Sequence, residues 1–132
     1  MHRPLLALAA LLLALEACGS SSSTAAASLD IRGTWTEVAV ANGIQYPQTM
    51  HLTTEDLSTG KFSGDDVGAG LKFTVTGTIT GTTATFVTTE VGGAYTSNAT
   101  ATVTIGSGGS GTMKGTFHDS NNASGTFTAS RN

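Results

Sequence analysis

The stretch LKFTVTGTIT, residues 71–80, alternates its side chains with period two. Leu71, Phe73, Val75 and Ile79 fall on one face, and Lys72, Thr74, Thr76, Thr78 and Thr80 on the other. Only an extended chain places residues i and i+2 on the same side, so this pattern specifies a half-buried strand. The next run, TATFVTTE, keeps the alternation but shifts its phase, with Ala84 and Phe86 now apolar. A two-residue turn at Thr80-Gly81, pairing Ile79 with Thr82, moves the inward set from odd to even numbers and predicts a tight hairpin.

The same alternation recurs from Leu29 onward, with no helical period of useful length. Eight strands are expected, at about 31–41, 48–55, 60–65, 71–79, 82–90, 94–105, 111–118 and 124–131. Turn-forming stretches separate them: NGIQYP, EDLSTG, GDDVGAG, VGG, GSGGSG and DSNNAS. Short connections favour antiparallel neighbours, so the expected fold is all-β, an eight-stranded antiparallel up-and-down (meander) barrel. A two-sheet β-sandwich is the alternative. Closure into a barrel removes the exposed edges that Thr-rich strands would offer for aggregation. Charged residues are only 11% of the 132-residue chain, and low charge with many Thr and interspersed aromatics suits strands rather than disorder. The formal charge of −3 leaves no basic surplus for nucleic acid.

The first 28 residues are unlike the rest. Arg3 precedes the apolar run PLLALAALLLALEA, which ends in small residues, the pattern of a secretory signal over residues 1–17. LEAC resembles the bacterial lipoprotein lipobox: Leu15 lies three before Cys18, and Ala17 just before it. The resemblance implies cleavage before Cys18 and its lipidation by palmitate-type acyl chains. Several such chains, at about 0.8 kcal/mol per buried CH₂, hold a protein stably at a membrane. The residues that follow Cys18 to position 28, GSSSSTAAAS, read as a tether reaching on the order of 35 Å when extended. Gly19 stands where inner-membrane lipoproteins of Gram-negative bacteria carry Asp, which implies the outer membrane for such a source. Cys18 is the single cysteine, so no intramolecular disulfide supports the domain expected over 29–132.

The two ends of that domain carry a second resemblance. RGTWTE in the first strand and GTFTASRN in the last are similar to the calycin pattern of lipocalins and avidin-like barrels. The resemblance implies that Arg131 packs across Trp35, beside Gly33, and closes one end of the barrel. A single Trp argues against an avidin-like biotin pocket, which several Trp residues wall. The expected inward set includes Phe62, Phe73, Phe86, Phe117 and Phe127, with Gly and Ala between them, a mixture of large and small that can fill a small barrel.

No catalytic or metal-binding constellation is legible. His51 lies between Met50 and Leu52, and His118 follows Phe117, so both are expected to face solvent. Asp65-Asp66 in SGDDVGAG lacks the spacing of a calcium loop and reads as a solvated turn. No Ser elbow occurs, and GSGGSGTMK precedes a strand with Lys114 misplaced for a phosphate loop, so neither an enzyme nor a cofactor is expected. Glu37 shares the parity of Trp35, which points its carboxyl inward. Val38 and Val40 suggest instead that the opposite parity takes over there. If Glu37 is inward, it joins Phe73, Phe86, Tyr95 and Ser97 as a candidate ligand pocket near one barrel mouth. The expected function is a membrane-anchored extracytoplasmic lipoprotein whose lipocalin-like barrel binds a small apolar molecule, a glycan or a protein. A structural envelope lipoprotein and a protease-inhibitor-like barrel are the alternatives.

Overall fold

The computed structural model describes residues 28–132. The expected signal sequence, Cys18 and nearly all of the expected tether lie outside the described residues. Eight antiparallel strands follow in chain order: β1 (Gly33–Ala41), β2 (Ile44–Asp56), β3 (Lys61–Gly68), β4 (Leu71–Thr80), β5 (Thr83–Glu90), β6 (Thr96–Ile105), β7 (Gly111–Asp119) and β8 (Ser124–Arg131). Each pairs with its neighbour in sequence, and β8 returns to β1 in the register Thr36↔Ser130 to Ala41↔Gly125. The sheet is therefore a closed up-and-down barrel rather than a sandwich. The one helical element among the described residues is a 3-10 turn at Ser107–Gly109.

Three local differences from the expected strands have physical causes. β2 begins at Ile44 rather than near 48, because Asn42 and Gly43 alone make the β1–β2 turn, with φ of 51° and 76°. Asn-Gly accepts two successive left-handed residues, as a two-residue hairpin requires. Pro47 lies in the strand opposite Val38, before pairing with β3 begins at Gln48↔Gly68. There β2 has a neighbour on one side only, a position where a proline is tolerated. The β4–β5 turn is Gly81-Thr82 rather than Thr80-Gly81. Thr80 thus pairs with Thr83, and Ile79 with Ala84 instead of Thr82, because Gly81 takes the positive-φ position at 60°. β3 continues to Gly68, so Asp65-Asp66 is strand and not a solvated turn.

The barrel is sealed at the pole where β1 starts and β8 ends. Trp35 and Ile31 are fully buried there, among Met50, Ile79, Val103 and Met113. The Trp35 indole Nε1–H donates to the Ile31 carbonyl at 2.9 Å, and the Ile31 N–H donates to Glu55 Oε2 at 2.8 Å. Residues 28–32 are thus tied across the pole as a plug. The Arg131 guanidinium lies 4.9 Å from the Trp35 ring centroid. It also donates to the carbonyls of Gly109, Arg32 and Asp30. A cation over an indole contributes about 0.5–2 kcal/mol. Gly33 has φ of 136°, and a Cβ there would lie 2.8 Å from Arg131 Cδ, so this position requires glycine.

Above the plug, glycines leave room for rings. A Cβ at Gly77, Gly115 or Gly125 would lie between 2.0 and 2.8 Å from a neighbouring strand's carbonyl oxygen and from a ring carbon of Phe62, Phe127 or Phe117. Phe62, Phe86 and Phe127 meet edge to face, with centroids 6.1 and 5.7 Å apart. This aromatic layer caps the packed lower core.

Candidate ligand-binding site

The upper half of the barrel is not filled. A cavity of about 710 Å³ opens at the pole formed by the Asn42-Gly43, Ala69-Gly70, Val91–Tyr95 and Ser120–Ala123 connections. Its size falls within the range of small-molecule sites, about 300–1,000 Å³. Phe86 and Phe127 line it above the packed layer, Phe73 and Phe117 form walls, and Tyr46 and Leu71 stand at the mouth. Phe73 meets Tyr95 edge to face at 5.9 Å. Ile44, Tyr46, Leu71 and Val91 leave an apolar rim in solvent.

All five sequence-derived pocket residues, Glu37, Phe73, Phe86, Tyr95 and Ser97, line this cavity. Trp35, Glu37, Ala39 and Ala41 are the buried positions of β1, while Val38 and Val40 are only half-buried, so the parity of Trp35 continues through Glu37 without a bulge. The one register shift among the paired strands lies in β2, between Leu52 and Thr54. Gly33, Trp35 and Arg131 lie at the sealed pole, away from the cavity. His51 and His118 project outward, His51 with Asp65 at 2.9 Å and His118 with Ser124 at 2.9 Å.

Asp66, expected from the sequence to lie in a solvated turn, and Asp119, not singled out there, are also pocket residues. Asp66 is only 3% exposed and sits opposite Met50 on one side and Phe73 on the other. Phe62, Gly64, Asp66 and Gly68 form the inward face of β3, a period-two signal concealed by small residues and by the turn-like pair of aspartates. Asp119 closes the β7–β8 connection: its Oδ1 accepts the Asn121 and Ala123 N–H groups, each at 2.9 Å.

The electrostatics of the lumen are one-sided. Burial pushes the Glu37 carboxyl up to about 8, and the nearby Asp66 charge adds to this. Burial likewise raises Asp66 to about 6. The Tyr95 hydroxyl is raised by burial and by the Asp119 carboxylate beside it. A charge removed from water without a partner is costly, and these carboxyls relieve the cost by holding their protons. The arrangement offers an apolar volume with a few fixed hydrogen-bonding groups, suited to binding. Among the described residues no group of three or more His, Cys, Asp or Glu could hold a metal ion. Comparison with protein-family models, with curated proteins and with solved structures yields no match to this chain.

Proposed function

We propose that this protein is a lipid-anchored extracytoplasmic binding module whose barrel takes a small molecule through its open pole. The observation that carries the reading is the half-filled interior: a packed, sealed lower core beneath a cavity of about 710 Å³ lined by rings and buried polar groups. A barrel serving only as an envelope scaffold gains by filling that space, since each lost contact in a core costs stability. The anchor is inferred from the lipobox-like LEAC at residues 15–18 and from the Ser-rich stretch after it. The Gly33–Trp35–Arg131 closure supports the likeness to lipocalin-type barrels. Native mass spectrometry of the full chain, extracted in detergent from its own host, tests both halves of the proposal. A co-purifying small molecule and acyl additions at Cys18 are the expected result. A bare, unacylated mass across repeated preparations overturns it.

A further inference from the structure

Four carboxyl residues line the cavity, Glu37, Asp66, Glu90 and Asp119, and no Lys, Arg or His stands among its lining residues. Asp119 is engaged, accepting the backbone N–H groups of its own turn. Glu90 is half-buried at the end of β5, while Glu37 and Asp66 lie deeper and buried. Glu37 is 7% exposed, and no hydrogen bond reaches its carboxyl among the described residues. Asp66 Oδ1 is the buried side-chain atom left without a partner. The Val67 N–H offsets part of the Asp66 desolvation, and no Lys, Arg or His of the lining offers either carboxyl a positive partner. A neutral guest could donate a hydrogen bond but no charge, and an anion would be repelled by every charged wall. The rings around the pair provide surface for an apolar body and quadrupole faces for a cation.

We propose that the cavity binds a protonated organic amine with an apolar or aromatic body, its ammonium seated between the Glu37 and Asp66 carboxylates. This rests on the small-molecule reading above and narrows it to one ligand class. The ammonium supplies several N–H donors and a positive charge where the protein leaves acceptors unpaired. The body lies against Phe73, Phe86 and Phe127. Asp66 on β3 is the titratable group that faces Glu37 within the lumen. From the flanking strands β1 is met by Gln48 of β2 and Ala129 of β8, while His51 and Asp65 lie on the outer surface. Burial keeps Glu37 protonated near neutral pH. Seating a cation beside it therefore expels that proton, and binding of the amine releases protons at pH 7.

Isothermal titration of the full chain in detergent, with a matched set of probes on one naphthyl body, tests the proposal: 2-(1-naphthyl)ethylamine, 2-(1-naphthyl)ethanol and 1-naphthylacetate. The amine is expected to bind tighter than the alcohol by about tenfold or more, as charged hydrogen bonds of 1.5–3 kcal/mol imply, with the carboxylate weakest. Titration in two buffers of different ionisation heat should show proton release with the amine and none with the alcohol. In Glu37→Gln/Asp66→Asn the preference for the amine should vanish. The buffer measurement uses the wild-type chain, so it decides even if that variant fails to fold. Alcohol binding equal to or tighter than the amine overturns the amine assignment while leaving the small-molecule reading intact. So does amine-selective binding without proton release, which removes Glu37 from the seat. If none of the three probes binds, the amine assignment falls. A bare native mass then removes the broader reading as well.

Discussion

Glu37 shows how one buried carboxyl ties stability to pH. Its proton is held to about 8 in the folded barrel, against about 4.5 in an open chain. Between those values the native state binds more protons than the unfolded state, so stability is complete below about 4.5 and falls as pH rises toward 8. Asp66 contributes with the same sign over the lower window from 3.8 to about 6. Glu37→Gln removes the larger share. Urea unfolding at pH 5 and pH 8 should show the variant more stable than wild type at pH 8 by about 2–4 kcal/mol, with little difference at pH 5. A barrel that retained these two carboxyls for stability alone would show the opposite sign. Glu37 was only half legible in the sequence: its parity follows from Trp35, but Val38 and Val40 argued for the opposite face, and it is the half-burial of those two valines that decides it. Asp66 was not legible, because a pair of aspartates between glycines has the composition of a turn. Only its pairing with Met50 and Phe73 reveals that it shares an inward face with Phe62.

At the level of the strand, most of the barrel could be read directly. Alternation is clear in β4 and broken in β5 only by the outward Val87, and one phase shift locates the hairpin between them to within one residue. What sequence pattern could not supply is the balance of volume. Whether five phenylalanines fill a lumen or leave it open depends on where the inward glycines sit around the ring. Gly77, Gly115 and Gly125 each stand against a ring and a neighbouring carbonyl. They let the strands bend tightly enough to close while the rings lean into the space the glycines leave. Gly115→Val should therefore be far more damaging than a surface change of equal size. Overpacking costs about 1–3 kcal/mol, and displacement of a strand adds to it. Thr116→Val, on the adjacent exposed position, should stay within about 0.5 kcal/mol of wild type by thermal unfolding.

As a whole molecule, the barrel has no free edge and no disulfide to hold it, and each strand leans only on its two neighbours. Loss of any one pairing opens the ring, so unfolding should be all or none. The single tryptophan provides a clear reporter, since Trp35 is fully buried in the plug under Arg131. Its fluorescence should be blue-shifted and protected from acrylamide. Its denaturation midpoint should coincide with that of the far-ultraviolet circular dichroism. A fluorescence transition that precedes the loss of strand signal would mean that the plug opens as a separate unit.

The plug carries a further consequence. The polypeptide enters β1 through residues 28–32 and leaves β8 at Arg131, both at the sealed pole, and Arg131 clamps the two together. An attachment made directly at Ser28 or Asn132 therefore holds the molecule like a cup by its base. A bead, a fluorophore or a lipid layer fixed at that base leaves the rim facing the surrounding medium, so guests can exchange freely while the holder stays in place.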